Sequence, residues 1–448
     1  MSIYRYTLSD YHAVGHADIV IDGITVLAGE NGCGKSTLSR WLYYLINGSN
    51  RMDEYLYKDY IQTIYNEMDR MEKVASEIRR QYPKFNSDDM PMKAPSKKQM
   101  LRRLVKKSPN EEDSTLASDM FLQQIHEFGD LLGRYLEEEQ NDRQRDRILA
   151  YLDLDTSQNN DGRQIAEDFI DSNIAMLQAI TERLNSAKEV RRRASLLSIV
   201  RNHFDETDDA PTAIQLYEDG VELLPGDNVS MLFNLQRAVY VDTPMALSDL
   251  YVDNVFWKDL NRLVLGKGSV GDASSKKLLR RIKDIIHGEA RLDTDSSPFN
   301  EEELRYVSAD NRVNIAIGKT ATGFKTFAYI QRLLENGFLN SGTLLLIDEP
   351  EAHLHPQWIV EYARLLVLIS KELGLKVMLA SHNPDMVAAI RAVAEKENML
   401  QRTHFYISRK DESTAQYRYQ DLGSEITEIF TSFNIALSRI KAYGPHSL

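Results

Sequence analysis

The chain has 448 residues, more than a single hydrophobic core usually organises, so we expect two or three structural units. Hydrophobic residues make up 42% of it and charged residues 27%, which is ordinary for a globular protein. The formal net charge of −13 argues against a protein that binds nucleic acid over its whole surface, but it leaves room for a local basic groove.

The ends and the cysteine content narrow the class of protein further. The N-terminal residues lack the basic and apolar regions of a secretory signal, and no apolar run approaches the ~20 residues of a membrane helix. The single cysteine, Cys33, allows neither an internal disulfide nor a cysteine-based zinc site within one chain. We therefore expect a cytoplasmic protein that does not enter the membrane.

The first motif in the chain is a phosphate loop. The spacing Gly29-x4-Gly34-Lys35-Ser36 is a complete Walker A pattern, and it lies between a predicted strand and a predicted helix. That geometry points backbone N–H groups at a phosphate. Lys35 would reach the β- and γ-phosphates of ATP, and Ser36 would ligate Mg²⁺. The predicted nucleotide-binding residues here are Gly29, Glu30, Asn31, Gly32, Cys33, Gly34, Lys35, Ser36 and Thr37.

The position of Cys33 inside this loop has two interpretations. Any small residue could serve there, in which case the thiol has no role of its own. Alternatively, chemical modification of the thiol could block nucleotide binding. The sequence alone leaves both open.

A long helical region follows the first motif. Residues 52–204 are rich in Glu, Lys, Arg and Leu, and residues 116–135 place apolar side chains on one helical face. Basic runs lie at 93–107, 191–193 and 274–283. Such runs are either solvated helix faces or contacts for a nucleic-acid backbone or an acidic partner.

Two strand ends near the C-terminal third complete a candidate site. Residues 344–347 form an apolar run typical of a buried parallel strand, and it ends in Asp348 and Glu349. Asp348 is placed to hold the Mg²⁺ shell, and Glu349 to polarise the attacking water. A second apolar run ends before His382, which could contact the γ-phosphate. The predicted catalytic residues are Lys35, Glu349 and His382.

These motifs together resemble a known family. Residues 29–37, 344–350 (LLLIDEP) and 381–384 (SHNP) are similar to the ABC-type ATPase heads of the SMC, RecF and OLD-like group. Residues 348–356 (DEPEAHLHP) resemble the OLD-like and RecF-like version of the Walker B tail. Within the group, the similarity is to the stand-alone bacterial AAA family ATPases, and it covers about a third of the chain.

The resemblance implies a fold and a set of roles. The fold would be α/β, a P-loop NTPase head of the ABC type with a large α-helical insertion. Asp348 would be the Walker B metal partner, Glu349 the catalytic base, His355 part of the D-loop and His382 the switch histidine. Such heads dimerise with two ATP molecules between the Walker A motif of one subunit and a signature loop of the other.

The signature loop and the Q-loop depart from the family pattern. The candidate signature is Thr322 and Gly323, just before a predicted helix, but Ala321 stands where the family has serine. Lys325 falls where related proteins often carry a lysine. Backbone N–H groups at a helix N-terminus could hold a γ-phosphate without the serine hydroxyl. The candidates for the Q-loop residue are Asp242, Thr243 and Gln236.

The sequence predicts four segments and a function. The segments are residues 1–50 (head with Walker A), 51–210 (helical arm or lid), 211–300 (mixed β/α, rejoining the head) and 301–448 (head with signature-like loop, Walker B and switch histidine). The expected function is Mg²⁺-dependent ATP hydrolysis by a homodimer or higher homo-oligomer. The ATP state would be coupled to the helical arm and to a separate effector protein.

The resemblance associates such ATPases with anti-phage defence or DNA maintenance, and the basic runs allow contact with nucleic acid. One alternative is a nucleotide-stabilised scaffold with negligible turnover. Another is the ATP-binding subunit of a transporter, against which the helical insertion and the Walker B tail argue. No Asp-x-Asp pair of a TOPRIM nuclease follows His382, so we expect no nuclease activity from this chain.

Overall fold

The computed structural model divides into two compact units. It describes residues 2–85, 97–106, 109–139, 141–154, 161–242, 254–266, 268, 273–293 and 303–433. The sheet unit comprises residues 1–50 and 196–448, and the helical unit comprises residues 51–195.

The sheet unit carries all the strands of the described residues. In chain order they are β1 (Tyr4–Tyr11), β2 (Val14–Ile21), β3 (Ile24–Ala28), β4 (Ala213–Glu218), β5 (Val221–Glu222), β6 (Arg237–Val241), β7 (Gly288–Asp293), β8 (Glu303–Ser308), β9 (Asn314–Ala316), β10 (Thr343–Asp348), β11 (Lys376–Ser381), β12 (Thr403–Lys410) and β13 (Tyr417–Asp421). Three of them, β7, β8 and β9, form a small antiparallel sheet, and the other ten form one large sheet.

The α-helices lie in both units. In chain order they are α1 (Lys35–Asn50), α2 (Met52–Gln81), α3 (Lys97–Lys106), α4 (Glu111–Glu138), α5 (Asp142–Tyr151), α6 (Gly162–Glu189), α7 (Arg193–His203), α8 (Val255–Leu265), α9 (Ala273–Ile286), α10 (Thr322–Glu335), α11 (Pro356–Leu373), α12 (Pro384–Lys396) and α13 (Thr427–Phe433). In the described part of the chain, no helix combines the length and the apolar character that spanning a membrane requires.

The large sheet is parallel at the site, and its pairings away from the site are antiparallel except that of β13 with β2. Its order is β5-β4-β1-β2-β13-β12-β3-β11-β10-β6, and the run from β12 to β6 is parallel. Every residue of β3, β10 and β11 is buried, as expected for strands covered by helices on both faces. In β1, buried and more exposed positions alternate, so one face of that strand lies nearer the solvent. Because parallel strands end at the same edge, the residues after β3, β6, β10 and β11 lie together.

The helical unit is organised around α4. Its first turn has a capping box in which the Asn110 side chain accepts from the Asp113 backbone N–H and the Asp113 side chain accepts from the Asn110 N–H. Apolar side chains of α2, α4 and α6 form the core of this unit. Gly129 and Gly133 on α4 face α6, where they allow the two helices to approach closely.

The structure divides the chain earlier than the predicted boundary at residue 210. The second half of α7 belongs to the sheet unit because its apolar side chains pack there. A methyl group on Gly48 of α1 would come within 2.5 Å of Leu196. Phe204 packs edge-on against Tyr43 with 5.6 Å between ring centroids. Residues 243–253, 267, 269–272, 294–302 and 434–448 of the predicted C-terminal segments lie outside the described residues.

Candidate nucleotide-binding site

The phosphate loop joins β3 to α1. Gly32 and Gly34 have φ values of +82° and +94°, a left-handed conformation that favours glycine. A side chain on Gly34 would also meet Val14 at 2.5 Å. Lys35 is the first residue of α1, and its Nζ donates to the carbonyl oxygens of Gly29 at 2.9 Å and Glu30 at 2.8 Å. The ammonium therefore folds back over the loop, where a phosphate would bind.

The cysteine of this loop is a packed core residue. Cys33 has 0% relative exposure, and its Sγ lies 3.6 Å from the Tyr419 hydroxyl and 3.6 Å from Lys35 Nζ. The Tyr419 hydroxyl also donates to the Cys33 carbonyl at 3.1 Å. This burial favours the interpretation of a small residue packed beneath the loop.

The carboxylate of Asp348, at the end of β10, is held by hydroxyl groups. Ser39 donates to its Oδ1 at 2.9 Å, and Tyr240 donates to its Oδ2 at 2.7 Å. Asp348 is 4% exposed, and this burial raises its pKa, while hydrogen bonds from Ser36, Tyr240 and Ser39 act in the opposite direction. The structure thus brings Ser36 and Asp348 together, although they are far apart in sequence.

The donor set fits Mg²⁺ that is shared with a nucleotide. Mg²⁺ prefers oxygen ligands and usually binds through one or two protein side chains together with phosphates and waters. The Ser36 hydroxyl and the Asp348 carboxylate are such ligands. Within the ranges that the structure describes, no group of three or more His, Cys, Asp and Glu could hold a metal ion by itself.

Glu349 and His382 meet at the same edge of the sheet. Glu349 has φ of 49°, and its backbone N–H donates to the Ala380 carbonyl at 2.8 Å. Its carboxylate is half exposed, and Oε1 lies 3.5 Å from Nδ1 of His382. The predicted base and the predicted switch histidine are therefore neighbours.

A third carboxylate, Glu351, lies beneath them. It is 5% exposed, and burial raises its pKa. Its Oε1 accepts from the Ser381 hydroxyl at 2.9 Å and from the His382 backbone N–H at 3.1 Å. The same oxygen lies 3.5 Å from His382 Nδ1.

Sequence reasoning did not assign roles to Ser39, Tyr240 or Glu351. Ser39 follows Lys35 by one helical turn, so its direction could have been inferred from helix periodicity. Glu351 lies inside the quoted Walker B tail. Tyr240 carries no local signal, because it reaches Asp348 only through the parallel pairing of β6 with β10.

The three Q-loop candidates have different outcomes. Asp242 follows β6 directly, and the Tyr240 hydroxyl lies 3.4 Å from its Oδ1, so Asp242 lies beside Asp348. Gln236 precedes β6 at the opposite end of the strand, where its backbone N–H donates to the Gly342 carbonyl. Gln236 therefore lies away from the edge of the sheet that carries Asp348. Thr243 lies outside the described residues.

The signature candidates pack on α11. Thr322 begins α10, and the N-cap Ala321 contributes no side-chain hydrogen bond. Gly323 is buried, and a side chain there would come within 2.8 Å of the Trp358 indole. Lys325 is 3% exposed, and burial lowers its pKa, so this lysine does not project from the surface. His355 is the N-cap of α11 and accepts from the Gln357 backbone N–H at 3.4 Å.

The basic runs are partly neutralised by acidic neighbours. The ion pairs are Lys97–Glu127, Lys98–Asp69, Arg191–Asp53, Lys277–Glu372 and Lys283–Glu289. Arg280 and Arg281 on α9 form no ion pair with another described residue. They line a groove between α9 and α11 together with Lys277, Trp358 and Arg364.

The parallel sheet, the phosphate loop after β3 and the buried aspartate at the end of β10 are the features of a P-loop ATPase of the ABC type. Residues 134–388, more than half of the chain, match the family described as "AAA domain, putative AbiEii toxin, Type IV TA system". The chain belongs to this family. The matched range includes Asp348, Glu349 and His382, and it begins after the phosphate loop.

Curated relatives and solved structures of ABC-type ATPases are also similar to parts of the chain. A "Putative ABC transporter ATP-binding protein" of Clostridium perfringens is 24% identical over 196 residues, which are 38% of this chain and 67% of the relative. An energy-coupling factor transporter ATP-binding protein of the same species is 26% identical over 193 residues, which are 38% of this chain and 67% of that relative.

The structural matches are to SMC heads. A head bound to the C-winged helix domain of ScpA is 11% identical with a TM-score of 0.36, and the match covers 96% of this chain and 99% of that one. An Smc head with an extended coiled coil, bound to the C-terminal domain of ScpA from Pyrococcus furiosus, is 14% identical with a TM-score of 0.32. That match covers 98% of this chain and 100% of the Smc chain.

Proposed function

We propose that this chain binds ATP with Mg²⁺ at the carboxyl edge of β3, β10 and β11 and hydrolyses the nucleotide. The observation that carries this proposal is the meeting of Lys35, Ser36 and Asp348 at that edge, with Glu349 and His382 beside each other on the adjoining turns. The family, whose members are ATP-binding ABC-type ATPases, supports the same conclusion.

The residues divide the chemistry between them. Lys35 binds the β- and γ-phosphates, and the loop N–H groups bind the remaining phosphate oxygens. Ser36 and Asp348 hold Mg²⁺, which neutralises phosphate charge when it is bound. Glu349 orients water for in-line attack on the γ-phosphorus and accepts its proton, for which a half-exposed carboxylate is suited. His382, next to Glu349, contacts the γ-phosphate and responds to its loss.

The active form in this proposal is a homodimer or higher homo-oligomer with two composite sites. The N-terminus of α10, at Thr322 and Gly323, would face the γ-phosphate bound by the other subunit. Its N-cap Ala321 makes no side-chain hydrogen bond that would compete with that phosphate.

Coupling to the helical unit follows from chain continuity. Helix α1 begins at Lys35 in the phosphate loop and ends at Asn50, and the helical unit begins at the next residue. We propose that the ATP state is transmitted along α1 and read by a separate effector protein in the cytoplasm.

The biological setting that we propose is anti-phage defence or DNA maintenance. The family description, which refers to a toxin and a toxin–antitoxin system, supports the first. Arg280 and Arg281 form no ion pair with another described residue and line the groove between α9 and α11, and this supports contact with a nucleic-acid backbone.

A scaffold with negligible turnover is the second candidate. Ala321 in place of the family serine and the burial of Lys325 favour it, because both weaken stimulation in trans. The half-exposed Glu349 opposes it. A transporter subunit, as the curated relatives are described, is the third candidate, and those relatives align with only 38% of the chain.

Nucleotide binding by the loop is tested with a matched pair of lysine variants. We expect Lys35→Ala to weaken binding of a fluorescent ATP analogue by ~10-fold to 100-fold, since it removes a charge-assisted hydrogen bond to phosphate. Lys396→Ala, at the exposed end of α12, should leave the affinity unchanged. Equal affinities of Lys35→Ala and wild type would place the nucleotide elsewhere.

A further inference from the structure

The Walker B turn contains a buried carboxylate that the hydrolysis chemistry does not use. Glu351 follows Asp348 by three residues, and its side chain is 4% exposed. Its Oε1 accepts hydrogen bonds from the Ser381 hydroxyl and from the His382 backbone N–H, at 2.9 Å and 3.1 Å. One oxygen of this side chain therefore links the turn after β10 to the end of β11.

The other oxygen of Glu351 is unsatisfied. Oε2 is buried and has no hydrogen-bond partner among the described residues. Leaving a buried polar group unpaired is energetically unfavourable. A glutamine at this position would offer the same accepting oxygen to Ser381 and to the His382 N–H. The two hydrogen bonds therefore do not by themselves require a glutamate at this position.

The ring of His382 gives the charge a partner. Nδ1 lies 3.5 Å from Oε1 of Glu351 and 3.5 Å from Oε1 of Glu349. The His382 side chain is 43% exposed and that of Glu349 is 50% exposed, so both have room to move. Glu351 is the fixed member of the three, because it is buried and anchored by Ser381.

Oxygens of two carboxyl groups thus lie at the same distance from one imidazole nitrogen. If the ring paired with Glu349, the proposed base would be occupied by His382 and would not orient water. A carboxylate next to Nδ1 favours the imidazole tautomer that carries its proton on Nδ1, and it also limits rotation of the imidazole ring.

We propose that Glu351 is a positioning residue, whose buried charge holds the Nδ1–H tautomer and the ring orientation of His382 and leaves Glu349 available to the attacking water. This inference rests on the hydrolysis proposed above. It assigns Glu351 no contact with the nucleotide.

The test compares Glu351→Gln with Glu361→Gln. The first variant keeps the acceptor for Ser381 and the His382 N–H and removes only the charge. The second removes an equivalent charge from a glutamate on α11 that is 40% exposed. Both are measured for steady-state ATP turnover. The ring ¹⁵N resonances of His382 are also recorded for both variants without nucleotide. These resonances are assigned by their absence from the spectrum of His382→Gln.

We expect Glu351→Gln to lower kcat by ~10-fold or more and to leave KM for ATP within about twofold of the wild-type value. This pattern is expected when a charge-assisted contact that matters in the transition state is lost. Its His382 resonances should shift away from the Nδ1–H pattern. Glu361→Gln should change neither kcat nor the His382 resonances. A merely structural role for Glu351 predicts that glutamine preserves both kcat and the resonances.

The resonances separate this inference from the hydrolysis proposal. If wild type does not turn over ATP, the proposed function fails, and the ligand-free spectra still decide whether Glu351 sets the state of His382. Unchanged resonances in Glu351→Gln overturn the inference in every case. Unchanged kcat in an active enzyme overturns it as well, whatever the spectra show.

Discussion

At the residue scale, the buried Asp348 has an electrostatic cost that nucleotide and metal would relieve. Its described hydrogen-bond partners, Ser36, Ser39 and Tyr240, are neutral hydroxyl groups. Burial raises the pKa of Asp348, so ionising this carboxyl group costs more in the folded chain than in water. The buried carboxyl group therefore lowers the stability of the ligand-free chain, and a bound cation would offset that cost.

This cost predicts the pH dependence of stability. A carboxyl group whose folded pKa exceeds its unfolded value of 3.8 stabilises the fold at low pH, and that contribution is lost as the pH rises through the folded pKa. Without Mg²⁺, we therefore expect Asp348→Asn to be at least as stable as wild type at pH 7, with its advantage shrinking as the pH falls toward 4. Urea unfolding at the two pH values measures this.

The outcome that contradicts this prediction is a loss at pH 7. If Asp348→Asn lowers the free energy of unfolding by more than about 1 kcal/mol, the hydrogen bonds to the carboxylate outweigh its burial. Ser9→Ala is the control, because that hydroxyl bonds to His16 at an exposed position far from the site in the sheet order.

The residues of the candidate site differ in whether a short sequence motif predicts their role. The P-loop and Walker B residues lie in short contiguous patterns whose geometry is set by adjacent elements, so the sequence could predict Lys35, Ser36 and Asp348. Tyr240 could not be predicted, because its contact depends on which strand lies next to β10. The environment of Glu351 depends in the same way on the pairing of β10 with β11.

At the element scale, the close approach of α4 and α6 depends on two glycines with different surroundings. A methyl group on Gly133 would meet Ala166 at 3.4 Å, an ordinary contact, whereas one on Gly129 would lie 2.5 Å from Ile170. Alanine in a helix is favoured over glycine by ~1 kcal/mol. We expect Gly133→Ala to stabilise the chain by up to that amount and Gly129→Ala to be less stable than Gly133→Ala by ~1 kcal/mol or more, since Ile170 must move.

Urea unfolding followed by far-UV circular dichroism compares the two alanine variants directly. They carry the same substitution one turn apart on the same helix, so each is the control for the other. Equal stabilities, or a more stable Gly129→Ala, would show that α4 and α6 are not packed as the structure has them.

Element types were more predictable than the arrangement of elements. The strands before Gly29 and up to Asp348 were predicted from short apolar runs, and the helical region from its composition and periodicity. The order of the ten-stranded sheet was not predicted, because pairing between distant strands leaves no local pattern. The end of the helical unit was placed at 210 because α7 continues the helical composition, and only tertiary packing of Leu196 and Phe204 places the boundary earlier.

At the scale of the whole molecule, the proposed function combines a preformed phosphate loop with a second subunit. The sheet unit supplies Lys35, Asp348 and Glu349, while Gly323 packs on α11 at the start of α10. In the proposed dimer, hydrolysis depends on subunits meeting, so the turnover rate per subunit should depend on protein concentration.

The measurement that tests this claim most directly is ATP turnover as a function of protein concentration, for wild type and Glu349→Gln, with oligomer size measured with and without ATP. The account predicts that wild-type activity per subunit rises with concentration. It also predicts that Glu349→Gln binds ATP, forms an ATP-dependent dimer and does not turn it over. Turnover by Glu349→Gln at the wild-type rate, or a wild type that neither hydrolyses ATP nor changes its oligomer size with it, would contradict the account.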